Sequence, residues 1–148
     1  MKRILFGLLA FGVCAAALAV VVHIAHGRGG IRMANHTVGV FDFEVRKVED
    51  HVRGYFKFQQ MTAWGRPLVR VGVPEVRGAA FAEHAAEFGG PGYLNGHLVS
   101  VHVRVFDGGT AHPDAINLVC RNRAGEVVYQ AHGELAFGDI IVAHREEP

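Results

Sequence analysis

The hydrophobic positions of this chain follow one pattern up to about residue 26 and another from residue 38. No charged residue interrupts the apolar run from Ile4 to Val22, and Lys2-Arg3 precedes it. A helix of that length would span roughly 28 Å, about the hydrocarbon thickness of a bilayer. The pattern predicts a single transmembrane helix, within residues 1–26, that anchors the rest of the chain.

The same segment has features of a cleavable export signal. Such a signal has an apolar region of about 7–15 residues and then a small-x-small site, which Ala15-Ala16-Ala17 or Ala17-Leu18-Ala19 supplies. The apolar run continues to Ile24, further than a signal needs. We therefore favour an uncleaved anchor in the bacterial cytoplasmic membrane. The cationic start favours a cytoplasmic N-terminus and a periplasmic C-terminal domain.

One side of the predicted helix carries small residues, Gly12, Ala15, Ala16 and Ala19. Small residues at such spacing allow a second helix to approach closely. This predicts packing against the integral membrane subunits of a larger complex. The alternative is that alanine and glycine are simply common in apolar segments.

His23 and His26 lie at the distal end of the predicted helix, three residues apart and so on one side of it. Neutral imidazole is a ligand for haem iron or a chlorophyll-type metal, so these two are the candidate cofactor ligands. The alternative is that they only mark the membrane boundary. We expect no cofactor and no metal.

From residue 38 the period becomes two, which predicts an exported β-domain over residues 38–148, after a glycine-containing tether at residues 27–37. About eight short strands separated by turns indicate an antiparallel β-sandwich or barrel. Gly89-Gly90-Pro91-Gly92 predicts a loop between them. Residues 76–88 fit either a strand or a short helix. The predicted strands and their alternating positions are Phe41–Val45, Val52–Phe58, Leu68–Val73, Val99–Val105, Ile116–Cys120, Val127–His132 and Asp139–His144.

Charge and composition argue against two classes of function. The chain has 15 Lys and Arg against 14 Asp and Glu, without a basic stripe in the sequence, so we expect no nucleic acid partner. Ser100, the only serine, lies in a predicted strand instead of on a glycine elbow, which argues against a serine hydrolase. Cys120 is expected to be a buried thiol.

Acidic and histidine side chains give no metal motif. The ten histidines lack HxH and HExxH spacing. Glu83, His84 and Glu87 would share one face only if residues 76–88 were helical. Asp107 and Asp114 bracket a turn, and turn chemistry explains them better than a calcium loop. No catalytic residue is predicted.

The last fifty residues carry an order of motifs that resembles a known family. A valine-rich strand ends in Asp107-Gly108, a turn leads to Asp114 and an apolar strand, and the chain closes with His144. Together with Phe41-x-Phe43-x-Val45, Val52-x-Gly54 and Tyr129-x-Ala131-x-Gly133-x-Leu135-x-x-Gly138-Asp139-Ile140, this resembles the post-COAP-1 domain of exported bacterial proteins. The resemblance covers roughly residues 40–144 and implies a secreted all-β module without known catalytic residues. Asp139 stands where that pattern has Asn, and His112-Pro113 alters its acidic turn.

Together these features predict a non-catalytic, single-span accessory subunit of a larger membrane complex, respiratory or photosynthetic. Its helix would contact the bilayer and the integral subunits, and its β-domain would cover their outer face. The alternative is a secreted or tethered β-barrel that binds a small apolar ligand, which requires an open apolar interior.

Overall fold

Antiparallel strands joined by turns and loops make up the part of the chain that the computed structural model describes, residues 19–147. The nine strands of this part are β1 (Val20–Met33), β2 (Thr37–Val48), β3 (His51–Thr62), β4 (Pro67–Val73), β5 (Gly78–Phe81), β6 (Ala85–Leu94), β7 (His97–Phe106), β8 (Ala115–Arg121) and β9 (Val127–Glu147).

Eight of the strands close into a barrel. Their order is β4-β3-β2-β1-β9-β8-β7-β6, and β4 pairs with β6 through Val71–Leu94 and Gly72–Tyr93 to complete the ring. The short strand β5 pairs with β6 beyond this closure. The prediction of a mainly β, antiparallel barrel is therefore confirmed.

Alternating side chains fill the barrel. The odd-numbered valines of β7, from Val99 to Val105, are buried while the residues between them are exposed. Phe43, Phe56 and Phe88 are also buried, and their ring centroids lie 5.2–6.3 Å apart across the interior. Because one face of each strand meets this core, the period-two pattern read from the sequence fixes which residues point inward.

The first strand differs from the expected anchor and tether. Residues 20–26 and most of the predicted tether form β1, which is hydrogen-bonded to β2 on one side and to β9 on the other. Within residues 19–147 no helix has the length and apolar character needed to cross a membrane. The rest of the predicted helix, residues 1–18, lies outside the described residues.

Glycines give residues 27–33 of β1 the sequence pattern of a flexible tether. A Cβ atom on Gly29 would lie 2.4 Å from the carbonyl oxygen of Phe137, and one on Gly30 would lie 2.3 Å from the Phe137 ring. Gly29 requires glycine because the β9 backbone passes directly against it, next to a bulge in the β1–β9 register, whereas at Gly30 the neighbour is the ring of the exposed Phe137 side chain. The same residues in sequence have no period and resemble a linker.

Two further boundaries differ from expectation. The predicted loop Gly89-Gly90-Pro91-Gly92 lies inside β6, where residues 90–92 pair with β7 only. Pro91 is tolerated there because no strand needs its missing N–H on the other side. The two strands predicted at residues 127–132 and 139–144 form one continuous strand, β9.

The ends of the barrel differ in construction. At one end, which we call the closed end, residues 74–84 (the crossing segment, which includes β5) connect β4 to β6. The Val76 N–H donates to the Gly54 carbonyl of β3, and the His84 carbonyl accepts from the N–H of Asp107. The other end, which we call the rim, carries the connections β1–β2, β3–β4, β6–β7 and β8–β9.

Candidate functional site

Two histidines meet under the crossing segment. His23 of β1 and His144 of β9 are opposite residues in the strand register, and their Nδ1 atoms lie 2.6 Å apart. The His23 ring stacks on Phe81, with centroids 5.2 Å apart and planes 25° from parallel. The His144 Nε2 atom lies 3.0 Å from the carbonyl oxygen of Ala82. This pair and its neighbours are the candidate site.

The carbonyl of Ala82 determines the tautomers of the neutral pair. A carbonyl oxygen only accepts, so His144 donates through Nε2 and its Nδ1 is an acceptor. His23 must then donate from Nδ1 to His144. The Nε2 atom of His23 is left as the basic nitrogen of the pair.

The surroundings of His23 disfavour a positive charge on its imidazole ring. Burial, the neighbouring His144 and the Lys47 ammonium, in that order, lower the pKa of His23 below its usual value. Lys47 donates from Nζ to the carbonyl of Ala79, 3.0 Å away. The pair can accept a proton or provide a nitrogen ligand, and together with Lys47 it ties the crossing segment to β1, β2 and β9.

A second polar group lies in the loop between β7 and β8, along the part of β9 that pairs with β1 but not with β8. Asp114 accepts hydrogen bonds from the N–H groups of Gly108 (2.9 Å) and Ile140 (2.7 Å). Asp107 accepts from the N–H of Val142 at 3.0 Å. Because β8 pairs with β9 only up to Glu134, these carboxylates replace the missing strand partner.

Asp139 lies beside this group on the outer surface of β9. A hydrogen bond to Asp114 is the largest cause that raises the pKa of Asp139, followed by burial and by the charges of Asp114 and Asp107. The Asp139 carboxyl therefore holds a proton more readily than an isolated aspartate does. Asp114 uses its oxygens to hold backbone N–H groups, which is a structural task.

A polar chain crosses the barrel interior near the rim. Tyr129 donates to Gln60 (2.8 Å), Gln60 to the Thr37 hydroxyl (3.0 Å), and Thr37 to the carbonyl of Ala34 (2.7 Å). Burial raises the pKa of Tyr129 to about 12 and that of the buried Cys120 thiol to about 11. The thiol stays protonated at neutral pH, so it lacks the thiolate that a nucleophile needs.

His23 and His26, the two predicted cofactor ligands, do not lie together in the structure. His23 points toward the barrel end and contacts His144, whereas His26, three residues along the same strand, is exposed beside Glu44 of β2. The strand conformation is the reason, because residues an odd number apart lie on opposite faces. Of the predicted helix-packing residues, Ala19 is exposed just before β1, and Gly12, Ala15 and Ala16 lie outside the described residues.

Glu83, His84 and Glu87, which would share one face of a helix, also do not lie together in the structure. Glu87 lies in β6 and pairs with Arg104 at 3.1 Å and with His102 at 3.7 Å. Glu83 contacts only the neighbouring His84 among its possible ion-pair partners in the described residues, at 3.6 Å. Across residues 19–147 no three His, Cys, Asp or Glu side chains are grouped as a metal site.

Sequence reasoning missed His144 and Lys47 as neighbours of His23. All three alternate with buried core residues on their strands, Lys47 two positions after Val45 and His144 two after Val142. That spacing places them in the last inward layer of the barrel. The signal was present, but it required knowing that β1 exists and that β9 pairs with it.

No known protein family, curated protein or solved structure matches this chain. The resemblance to the post-COAP-1 domain therefore stays a prediction, and the function must be argued from the geometry.

Proposed function

We propose that the chain is an exported, non-catalytic β-barrel module that works by binding through its outer surface, and that residues 1–19 form its export signal. The observation that carries this is the start of β1 at Val20, directly after Ala17-Leu18-Ala19. The small-x-small site immediately precedes the folded domain, where a signal peptidase needs it.

The length of the remaining apolar run supports this proposal. If β1 takes Val20 and the residues after it, the uncharged run available to a helix is Ile4–Ala19. At 1.5 Å per residue it would span about 24 Å, less than the hydrocarbon core of about 30 Å. An apolar region of this size is closer to a signal than to an anchor.

The new terminus would be accommodated by the barrel. Cleavage after Ala19 would leave Val20 and the apolar residues that follow it as the new N-terminus. In the structure Val20 pairs with Glu147 of β9, and β1 is an interior strand of the sheet. The apolar residues after the site therefore belong to the fold and need no membrane.

The arrangement of reactive groups supports a binding role. Asp107 and Asp114 hold backbone N–H groups, His144 donates to a carbonyl, and Cys120 is buried with a raised pKa. The interior ligand alternative has less support, because the phenylalanine cluster fills the space that an apolar ligand would need. The accessory-subunit alternative requires that the small-residue segment is retained.

Intact-mass analysis of the full chain after expression in an exporting bacterium tests the proposal. We expect a product that begins at Val20 and is recovered without detergent. Ala19→Phe should block cleavage because a large residue does not fit before the cut, while Ala16→Phe serves as the matched control and should be processed. A product that retains Met1 and comigrates with large integral subunits in mild detergent would favour the anchored accessory subunit instead.

A further inference from the structure

The rim of the barrel carries most of the exposed large hydrophobic side chains. Its four connections, with the strand ends beside them, cover residues 32–38, 61–70, 93–98 and 120–128. Six of the ten exposed large hydrophobic residues of the described chain lie in these ranges: Trp64, Leu68, Tyr93, Leu98, Val127 and Val128. Such a concentration at one end of a barrel marks a contact surface.

Trp64 is the most exposed of them, and the turn that carries it is closed by hydrogen bonds. Its side chain is 97% exposed at the tip of the β3–β4 connection. The connection is closed by hydrogen bonds from the Thr62 N–H to the Arg66 carbonyl and from the Gly65 N–H to the Thr62 carbonyl, both 2.9 Å. A tight turn therefore presents the indole ring outward, without contact with the core.

The charge of the rim is predominantly positive. It contains Arg32, Arg66, Arg70, Arg121 and Arg123, and its only acidic residue is Glu126. Within residues 19–147 none of these five arginines forms an ion pair, whereas Arg28, Arg46, Arg77, Arg104 and Arg145 at other places do. The remaining acidic residues lie outside the rim, so the barrel is electrically polar along its axis.

We propose that the rim docks on the surface of a lipid bilayer that contains anionic lipids. Tryptophan and tyrosine prefer the membrane interface, where the ring enters the headgroup region and its polar edge stays hydrated. Arginine side chains attract anionic headgroups and can reach them from behind the apolar tips. The apolar and basic residues come from four separate connections spread around one end of the barrel, which fits a broad bilayer surface better than a partner that binds at a single connection.

This proposal deepens the proposed function by naming the partner surface, but its test does not depend on export. Trp64 is the only tryptophan in the chain. Its fluorescence therefore reports on the rim alone, and in a chain expressed from Val20 onward no apolar leader competes with the rim for the bilayer. A blue shift and protection from an aqueous quencher will show that Trp64 has entered a bilayer.

The experiment titrates the purified chain that begins at Val20, where β1 starts, with vesicles of phosphatidylcholine alone or with phosphatidylglycerol. We expect a blue shift and reduced acrylamide quenching only with the anionic vesicles, and reversal by salt. Arg66→Gln with Arg70→Gln should weaken this response roughly thirtyfold, given about 1 kcal/mol for each arginine near the surface. Arg53→Gln with Lys57→Gln on β3, away from the rim, is the matched control and should leave it unchanged.

Several results would overturn the proposal. One is an unchanged Trp64 spectrum with anionic vesicles, even if the chain sediments with them through another segment. A second is an equal response to both vesicle types, and a third is an equal loss in the control variant. A spectral response to a soluble polyanion, such as heparin or an oligonucleotide, without one to vesicles would assign the rim to another class of partner. Unfolding midpoints of the variants confirm that they are folded.

Discussion

Replacing Asp139 with asparagine should stabilise the barrel at neutral pH. In the native chain the Asp139 carboxylate lies beside Asp114, which is committed to the Ile140 N–H. An asparagine amide can donate to Asp114 without needing a proton.

The pH dependence follows from the direction of the pKa shift. The pKa of Asp139 is raised in the folded state, so folding favours its protonated form. Its favourable contribution is fully present below the unfolded pKa and is lost as pH rises through the folded pKa. At pH 7 the folded protein therefore carries the unfavourable carboxylate pair, and at low pH it does not.

The magnitude is limited by solvent. Asp139 is exposed, so water screens its interaction with Asp114, and a gain of about 0.5 kcal/mol is appropriate for Asp139→Asn at pH 7. For a domain of this size that corresponds to a rise of roughly 2 °C in the unfolding midpoint. Near pH 3.5 the gain should disappear because the native carboxyl is then protonated.

Urea unfolding followed by circular dichroism at pH 7 and near pH 3.5 measures the difference. Asp50→Asn, an exposed residue in the β2–β3 turn, removes the same charge and is the matched control, for which we expect a smaller effect at both pH values. The reasoning fails if Asp139→Asn is less stable than the native chain at pH 7. It also fails if its gain is independent of pH or equals that of Asp50→Asn.

Three other substitutions test the core, the turn geometry and the histidine pair. Phe56→Ala should cost about 3–5 kcal/mol in chemical unfolding and open an apolar cavity that binds xenon or benzene; a loss under 1 kcal/mol would mean that the interior is loosely packed. Gly54→Ala should cost roughly 2–4 kcal/mol, since φ is +154° and a Cβ would lie 2.1 Å from the Glu44 carbonyl oxygen; an unchanged midpoint would contradict this geometry. The lowered pKa of His23 means that stability is present above its unfolded pKa and falls as pH drops below about 6.5. His23→Phe should therefore lose less stability than the native chain between pH 7 and pH 5, and identical losses would exclude a role for this pKa.

Strands with one buried and one solvated face could be read from the sequence. In β2, β3, β7 and β8 the alternation of apolar and polar residues predicted both the strand and its inward side, as with Phe41, Phe43 and Val45. The physical reason is local, because each residue's partition between core and water is decided by its own side chain. The register with neighbouring strands was not needed.

Strand β1 and the His23–His144 pair depend on long-range strand pairing, which local sequence patterns do not reveal. Val20, Val21 and Val22 are apolar on both faces of the strand, and apolar residues without alternation fit a membrane helix as well as a strand. His23 and His144 are separated by 121 residues and meet only because β1 and β9 pair to close the barrel. Candidate residues that depend on closure therefore cannot be found from local patterns.

The opposite charges of the two barrel ends connect the export proposal with the membrane-docking proposal. The first described residue, Ala19, lies at the closed end, together with the acidic residues Glu49, Asp50, Glu146 and Glu147. A retained membrane anchor would bring this acidic end toward the lipid headgroups and turn Trp64 away from them. Release at Ala19 removes that constraint and allows the basic rim to face the bilayer. Anchoring and rim docking thus predict opposite orientations, so Trp64 in the native membrane fraction should be protected from acrylamide only if the leader has been cleaved.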